Sequence, residues 1–206
     1  SNIELNNLEL SSANSINIGR LVPQIVYYFY SYFEMVKKEE IKYGEKINYV
    51  VPTGNFGNIL ACYIAKKMGL FIDKIVCASN ENNVLTDFFT TYTYDKNREF
   101  YLTNSPAMDI LISSNLERLL YIVTDNNEVL VKDLMDSLKL TGKFTLPKEY
   151  HAKLNDFMAC SITKDETVEN IKNCYDKYHY LIDPHTAVGY GAYEKFSNEL
   201  SGKTVV

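Results

Sequence analysis

The chain has 206 residues, ordinary composition apart from 17 Tyr and no Trp, and enough length to bury a substantial core. Its net charge of -5 and its pI near 5.3 argue against a nucleic-acid-binding function, because no basic surface is available to neutralise phosphates. The longest apolar run, "LVPQIVYYFYSYF", is too short to span a membrane, and the N-terminus lacks the basic start and apolar core of a secretion signal.

The cysteines stand apart from one another and show neither metal-site nor disulfide spacing. They are Cys62, Cys77, Cys160 and Cys174. This pattern is typical of reduced packing residues in a cytoplasmic protein. The sequence therefore predicts no metal site and no disulfide.

The first predicted element is an amphipathic helix from Ser15 to about Lys38, where apolar and aromatic residues recur every three or four positions. Pro23 is expected in its first turn, where a missing N–H costs nothing. Gly44 is expected to end this element. The apolar, β-branched stretch "KINYVV" then predicts a short strand.

A helix and then a second strand follow this first strand. The segment "NILACYIAKKMGL" predicts a helix that ends at Gly69, and "DKIVCAS" predicts a second buried strand. Strand, glycine loop, helix and strand form a βαβ unit, which implies a parallel sheet covered by helices. The predicted fold class is therefore α/β.

The sequence patterns predict the remaining helices and strands less clearly. From Asn80 to Tyr101 the order of elements is less clear, and "NENN" and "TTYTYDKNRE" are interpreted as loop and exposed surface. Two helices are predicted at "LERLLYIV" and "NEVLVKDLMDSLKL", a strand at "HAKLNDFMACSIT", and two further helices at "KDETVENIKNCYDKYH" and "DPHTAVGYGAYEKFSNEL". Asp183 and Pro184 are expected to open the last helix. The final "GKTVV" is typical of a buried strand that is cut short, which predicts that residues 1–206 are a fragment.

The glycine loop "TGNFGN" joins the first predicted strand to the next helix. Gly54 and Gly57 would let the backbone approach a ligand, and the helix N-terminus would supply unpaired N–H groups and partial positive charge. Asn55 and Asn58 add uncharged donors. This combination suits a phosphate, although its spacing matches neither the P-loop nor the Rossmann pattern. A tight turn without a ligand is the open alternative.

A second polar cluster precedes the first helix. Its members are Ser11, Ser12, Asn14, Ser15 and Asn17, followed by Arg20. Ser15 or an adjacent Asn is expected to cap the helix. Hydroxyl and amide donors beside an Arg fork also bind phosphate well, so a second anion pocket is the other interpretation. One cap needs only one of these residues, and the surplus favours the pocket.

Taken together, several stretches resemble the threonine synthase family. They are "SANSINIGRLVPQIVYYF", "VPTGNFGNILACYIAKKMGL", "ASNENNVLTDF", "SPAMDILISSNLERLL" and "DPHTAVGYGAY", in the order of the family. They cover most of the chain from Ser11 to about Tyr193. The resemblance implies a partial tryptophan synthase β-like fold, which is fold type II of the pyridoxal-phosphate enzymes, with pyridoxal 5'-phosphate as cofactor.

The same resemblance implies roles for both polar segments. The cofactor phosphate would be held by Gly54, Asn55, Phe56, Gly57 and Asn58. The phosphate of the substrate, O-phospho-L-homoserine, would be bound by Asn14, Ser15 and Arg20. In the family's reaction this phosphate leaves the γ-carbon and water adds at the β-carbon, giving L-threonine.

Two parts of the family's catalytic site are missing from this sequence. The Schiff-base lysine lies in a Ser-Phe-Lys-Asp type motif, and the group facing the pyridine nitrogen lies beyond "GKTVV" in the family; neither occurs here. Residues 1–206 are therefore expected to be the central part of the catalytic region, with no catalytic residue of their own and no activity alone. The alternative is a non-catalytic phosphate-binding or interaction module. Exposed sheet edges would invite self-association.

Other polar residues leave two interpretations open. Ser105, Met108 and Asp109 resemble a loop that passes near the cofactor in the wider fold group, although a Ser-Pro turn explains them equally. Asn80, Asn82 and Asn83 would line the crevice or belong to a surface loop. Asp183 is interpreted first as an N-cap, with His185 and Thr186 beside it as residues that could face the site. His151 and His179 are interpreted as surface or packing residues.

Overall fold

A computed structural model of the chain describes residues 14–206. Its central sheet contains β1 (Ile47–Pro52), β2 (Ile72–Ser79), β5 (Phe157–Ser161) and β6 (Thr204–Val205). These strands are parallel and stand in the order β5-β2-β1-β6. A separate antiparallel pair is formed by β3 (Thr93–Asp95) and β4 (Lys143–Thr145). The predicted α/β class is confirmed.

Helices cover both faces of the sheet. In chain order they are α1 (Ile18–Leu21), α2 (Ile25–Lys37), α3 (Gly57–Lys67), α4 (Val84–Thr91), α5 (Leu116–Val123), α6 (Glu128–Thr141), α7 (Lys164–Tyr178) and α8 (Pro184–Phe196). Alternate residues of a strand point to opposite faces. Accordingly, Val51 and Cys77 pack in the core that includes α3, whereas Val50 and Val76 pack against α8. Burial on both faces explains why these strands read as continuous apolar runs.

The cysteines pack as reduced thiols. All four are free, and three of them are buried. Burial raises the pKa of Cys77 to about 12 and that of Cys160 to about 11, so these thiols stay protonated near neutral pH. Within residues 14–206, no group of three or more His, Cys, Asp or Glu could hold a metal ion, and no helix is long and apolar enough to cross a membrane.

The long first helix is divided at Pro23, contrary to the prediction. A 3-10 turn, Val22–Gln24, separates α1 from α2. Pro23 lacks an amide hydrogen and therefore cannot continue the α-helical hydrogen bonding from α1. The second piece also ends at Lys37, before Gly44. Gly44 instead adopts a φ of +92° in the turn that leads to β1.

The interpretation of "TTYTYDKNRE" as loop and exposed surface is wrong in part. This segment contains the last residues of α4 and the strand β3, and its Tyr94 is almost fully buried. The segment "NENN" does lie outside the helices and strands, as predicted. The ring of Tyr94 stacks on that of Phe144 in β4, with centroids 5.4 Å apart. β3 has only three residues and is stabilised by a partner far along the chain, so its short Thr- and Tyr-rich run was not enough to distinguish a strand from a loop.

The other predicted elements are present, except that the strand predicted at "HAKLNDFMACSIT" begins only at Phe157, after a 3-10 helix at Lys148–Leu154. α3 is followed by Gly69 at a φ of +104°, and β1 and β2 are parallel. The strand predicted in "GKTVV" is β6, which pairs with β1. The tyrosine-rich run in α2 is only half packed, since Tyr28 and Tyr32 are buried while Tyr27 and Tyr30 are exposed.

Candidate anion-binding site

A cavity of about 170 Å³ lies at the carboxyl end of β1, where the glycine loop enters α3. It is lined by Ser15, Arg20, Gln24, residues 52–59 and Ala107. The loop residues Gly54, Asn55, Phe56, Gly57 and Asn58 all contribute to its wall. Two of the three residues predicted for the second phosphate, Ser15 and Arg20, line the same cavity, whereas Asn14 does not. Ser11 and Ser12 lie outside the described residues.

The backbone of the glycine loop offers a run of hydrogen-bond donors. The amide groups of residues 54–59 donate no hydrogen bond to any residue from 14 to 206. The first amide to find a helical partner is that of Leu60, which donates to Phe56 O at 3.2 Å. α3 has 11 residues, so its N-terminus also carries the partial positive charge of the helix dipole. This donor set suits an anion.

The carbonyl groups of the loop are held by the segment before α5. Ser113 Oγ donates to Gly54 O at 2.8 Å, and Asn115 donates to Asn55 O through both its backbone amide and Nδ2. Asn115 is fully buried, and its Nδ2 also donates to Ser15 O at 3.0 Å. Asn115 therefore joins the two predicted phosphate segments. This role of Asn115 was not predicted from the sequence, because the short polar run "SSN" is the only local feature that could indicate it.

The left-handed residue of the loop is Phe56, with a φ of +63°, rather than either glycine. Its buried ring meets those of Phe89 and Phe157, with centroids at 5.9 Å and 6.2 Å. A left-handed conformation costs a non-glycine residue about 1–2 kcal/mol. Burial of the phenyl ring offsets this cost, so packing holds the loop in a conformation that glycine would adopt more easily.

Gly54 serves close packing within the chain. A Cβ atom at this position would lie 3.0 Å from Ala107 O and 3.1 Å from Met108 Cα. A Cβ atom at Gly57 would lie 3.4 Å from Asn115 Nδ2, which is ordinary contact. The close approach expected at Gly54 is therefore made by the turn around Ala107, which forms one wall of the cavity.

The helix of the upstream segment is capped by Asn17, whose side chain accepts from Gly19 N at 2.8 Å. A residue of the predicted polar cluster therefore caps the helix, but the cap is Asn17 and not Ser15. α1 has only four residues. Its dipole is correspondingly small, and side chains rather than the helix end dominate the chemistry of this wall.

Known proteins share this sequence and architecture. Human threonine synthase-like 1 is 45% identical over 181 residues, which are 87% of this chain and 24% of the human protein. Threonine synthase of Saccharomyces cerevisiae is 40% identical over 210 residues, covering 95% of this chain and 40% of the yeast enzyme. The crystal structure of PLP-bound threonine synthase from Brucella melitensis has a TM-score of 0.87 and 37% identity, covering 99% of this chain and 43% of that one.

This chain is a threonine synthase-like protein. It has a partial tryptophan synthase β-like fold, the type II fold of the pyridoxal-phosphate enzymes, as the sequence predicted. The chain spans less than half the length of these relatives, 24% to 43%. No protein-family model matches it.

In the threonine synthase-like chain, a buried polar network holds the turn that contains Ala107. Asn80 Nδ2 donates to Ser105 Oγ at 3.0 Å and to Asp109 Oδ1 at 2.8 Å. Asn82 Nδ2 also donates to Asp109 Oδ1. The surface-loop interpretation of Asn80 and Asn82 is wrong, since both are buried. They do not line the cavity either; with Ser105 and Asp109 they fix the turn beside it.

The start of α8 contacts the same turn. Asp183 caps the helix, as predicted, and its Oδ1 accepts from His185 N at 2.8 Å. His185 Nδ1 lies 3.2 Å from Asp183 Oδ1, while Ala107 N donates to His185 Nε2 at 3.3 Å. His185 therefore supports the cavity wall without lining it. His151 stacks on Tyr92 and His179 ends α7, in keeping with packing roles.

Replacing Asp183 by alanine should destabilise the protein in a pH-dependent way. Hydrogen bonds from Thr186 and from the first helical amides hold the pKa of Asp183 below its usual value of 3.8. The stabilisation is therefore complete above that value and is lost as pH falls through the lower folded-state pKa. We expect Asp183→Ala to lower the free energy of unfolding by about 0.5–2 kcal/mol near neutral pH.

Urea denaturation of both proteins across the acidic range measures this difference. Asp183→Asn is the control, because asparagine also caps helices but does not titrate over this range. A difference between wild type and Asp183→Ala that stays constant down to the lowest pH would contradict the prediction.

Proposed function

We propose that this threonine synthase-like chain supplies the phosphate-binding part of an enzyme that converts O-phospho-L-homoserine and water to L-threonine and phosphate. The proposal rests on one cavity, in which loop amides that donate no hydrogen bond within residues 14–206 lie beside Ser15 and Arg20. The threonine synthases among its relatives, one of them PLP-bound, support pyridoxal 5'-phosphate as the cofactor. That cofactor, when bound, supplies the electron sink for carbanion chemistry.

The dimensions and donors of the cavity fit a phosphate group. Its volume of about 170 Å³ is below the ~300–1,000 Å³ typical of pockets that enclose a whole small molecule. Neutral amides and asparagine side chains supply hydrogen bonds, and Arg20 supplies positive charge. These residues fit the phosphate end of a cofactor or substrate, and the remainder of each molecule would extend from the cavity.

Within this proposal, each wall of the cavity has one role. The loop residues 54–58 would hold the cofactor phosphate through their amides. Ser15 and Arg20, with Asn14 as the third predicted member, would bind the substrate phosphate. Arg20 would also stabilise the negative charge that grows on the phosphate as it leaves. The shared cavity supports neighbouring positions for the two phosphates instead of separate pockets.

The remaining catalytic groups are assigned to the complete protein. No Ser-Phe-Lys-Asp motif occurs in these 206 residues, so the proposal places the Schiff-base lysine outside them. We also propose that this chain is a fragment without activity of its own and that the protein is cytoplasmic. The isolated chain would self-associate through β5 and β6, which are the edge strands of the sheet.

Arg20→Ala in the complete gene product tests the division of roles. A charged hydrogen-bond donor contributes roughly 1.5–3 kcal/mol, so kcat/KM for phosphate release from O-phospho-L-homoserine should fall about tenfold or more. Affinity for pyridoxal phosphate should change far less. Phosphate release and cofactor titration measure the two quantities. Lys37→Ala removes an exposed cation of α2 away from the cavity and is the matched control.

Different outcomes separate the competing functions. Equal losses of cofactor affinity and of kcat/KM would contradict the assignment of Arg20 to the substrate. A complete protein that binds phosphate compounds but releases no phosphate from O-phospho-L-homoserine would favour the non-catalytic phosphate-binding or interaction module.

A further inference from the structure

Tyr28 of α2 contacts the anion cavity indirectly, through Asn58. The Tyr28 hydroxyl donates to Asn58 Oδ1 at 2.6 Å and lies 3.0 Å from Asn58 O. Asn58 lines the anion cavity and also a neighbouring cavity that Tyr28 itself lines. Asn58 thus forms a partition with Tyr28 on one side and the proposed phosphate position on the other.

The hydrogen bond from Tyr28 determines which part of the Asn58 amide is available. An asparagine side chain carries one carbonyl acceptor and one NH₂ donor, and rotation about its last bond exchanges them. Tyr28 occupies the carbonyl oxygen. Nδ2 makes no hydrogen bond within the part of the chain that the structure describes, so it is the group left to meet a ligand.

Tyr28 is itself well fixed. Its ring is 5% exposed and meets the ring of Tyr49 edge to face, with centroids 4.9 Å apart. Tyr49 OH donates to Tyr28 O at 2.9 Å and lies 2.8 Å from Ser31 Oγ. Burial raises the pKa of the Tyr28 hydroxyl well above its ordinary value, so the hydroxyl keeps its proton and remains a donor.

We propose that Tyr28 is a positioning residue for phosphate binding: its hydroxyl orients the Asn58 amide so that Nδ2–H, and not the carbonyl oxygen, faces the anion. A reversed amide would turn a partial negative charge toward the phosphate and replace attraction by repulsion. This inference rests on the function proposed above for the glycine loop, and it adds a residue that does not line that cavity.

Calorimetric titration with inorganic phosphate tests the role of the hydroxyl. Tyr28→Phe removes only that oxygen, and we expect phosphate affinity to fall by about three- to tenfold, the effect of one well-placed hydrogen bond. The matched control is Tyr27→Phe, which removes the hydroxyl of the adjacent, exposed tyrosine and should leave affinity unchanged.

A double-mutant cycle separates positioning from a general structural effect. In an Asn58→Ala background, Tyr28→Phe should cause no further loss, because the amide that it orients is gone. The inference is overturned if Tyr28→Phe binds phosphate like Tyr27→Phe, or if it weakens binding by the same factor with and without Asn58.

Nuclear magnetic resonance gives a readout that does not depend on the folding of any variant. In the wild-type chain, the side-chain amide protons of Asn58 should shift on phosphate addition together with the backbone amide of Gly57. A shift at Gly57 without one at Asn58 overturns the role of Tyr28 while the proposed phosphate site stands. Wild-type protein that binds no phosphate overturns both.

Discussion

Replacing Phe56 by alanine should lower the free energy of unfolding by about 3–5 kcal/mol, the usual loss for a fully buried phenyl ring. The ring is 1% exposed and packs between α4 and β5 through Phe89 and Phe157. Urea denaturation measures the loss. Phe100→Ala is the matched control, because the Phe100 side chain is 49% exposed, and its removal should cost far less.

The backbone of Phe56 allows a second, sharper comparison. At most positions glycine is less stable than alanine, by roughly 0.5–1 kcal/mol within regular structure. Phe56 has a φ of +63°, which alanine tolerates poorly and glycine adopts freely. Phe56→Gly should therefore be more stable than Phe56→Ala. The reverse order would show that the left-handed conformation of this loop is lost together with the ring.

The fold was largely predictable wherever local patterns decide structure. The apolar runs of β1 and β2 and the periodicity of α3 were enough to predict the βαβ unit, because a short, continuous, β-branched run is typical of a buried parallel strand whereas a three-to-four spacing is typical of an amphipathic helix. β3 was missed because its stability comes from pairing with β4 and from the packing of Tyr94 on Phe144. Such long-range pairing leaves little trace in a local pattern.

The sequence predicted residues that line the candidate cavity, but not the residues that orient them. Gly54 through Asn58, Ser15 and Arg20 stood out because each polar run before a predicted helix holds more hydrogen-bond donors than one cap or turn requires, and all of these residues line one cavity. Asn115 and Tyr28 did not stand out. Each acts by orienting a neighbour, and an asparagine before a helix or a tyrosine in a tyrosine-rich run has an ordinary structural explanation. Contacts of this kind require coordinates.

Gly54→Ala is the second substitution with a large expected effect. Its Cβ atom would lie 3.0 Å from Ala107 O and 3.1 Å from Met108 Cα, both backbone atoms that cannot rotate away. The turn must shift, and such overpacking typically costs about 1–3 kcal/mol. Because Ala107 lines the cavity and is tied to His185, phosphate affinity should fall as well. Denaturation and phosphate titration measure the two effects.

Gly57→Ala is the matched control, and its effect on stability should have the opposite sign. At this position the added methyl group makes ordinary contact with Asn115 Nδ2 at 3.4 Å, and alanine favours the first turn of α3 over glycine by up to about 1 kcal/mol. Equal destabilisation at both positions would contradict the assignment of Gly54 to close packing. Opposite signs would establish that one loop glycine makes room for the protein's own turn, while the other can gain a side chain without disturbing the fold.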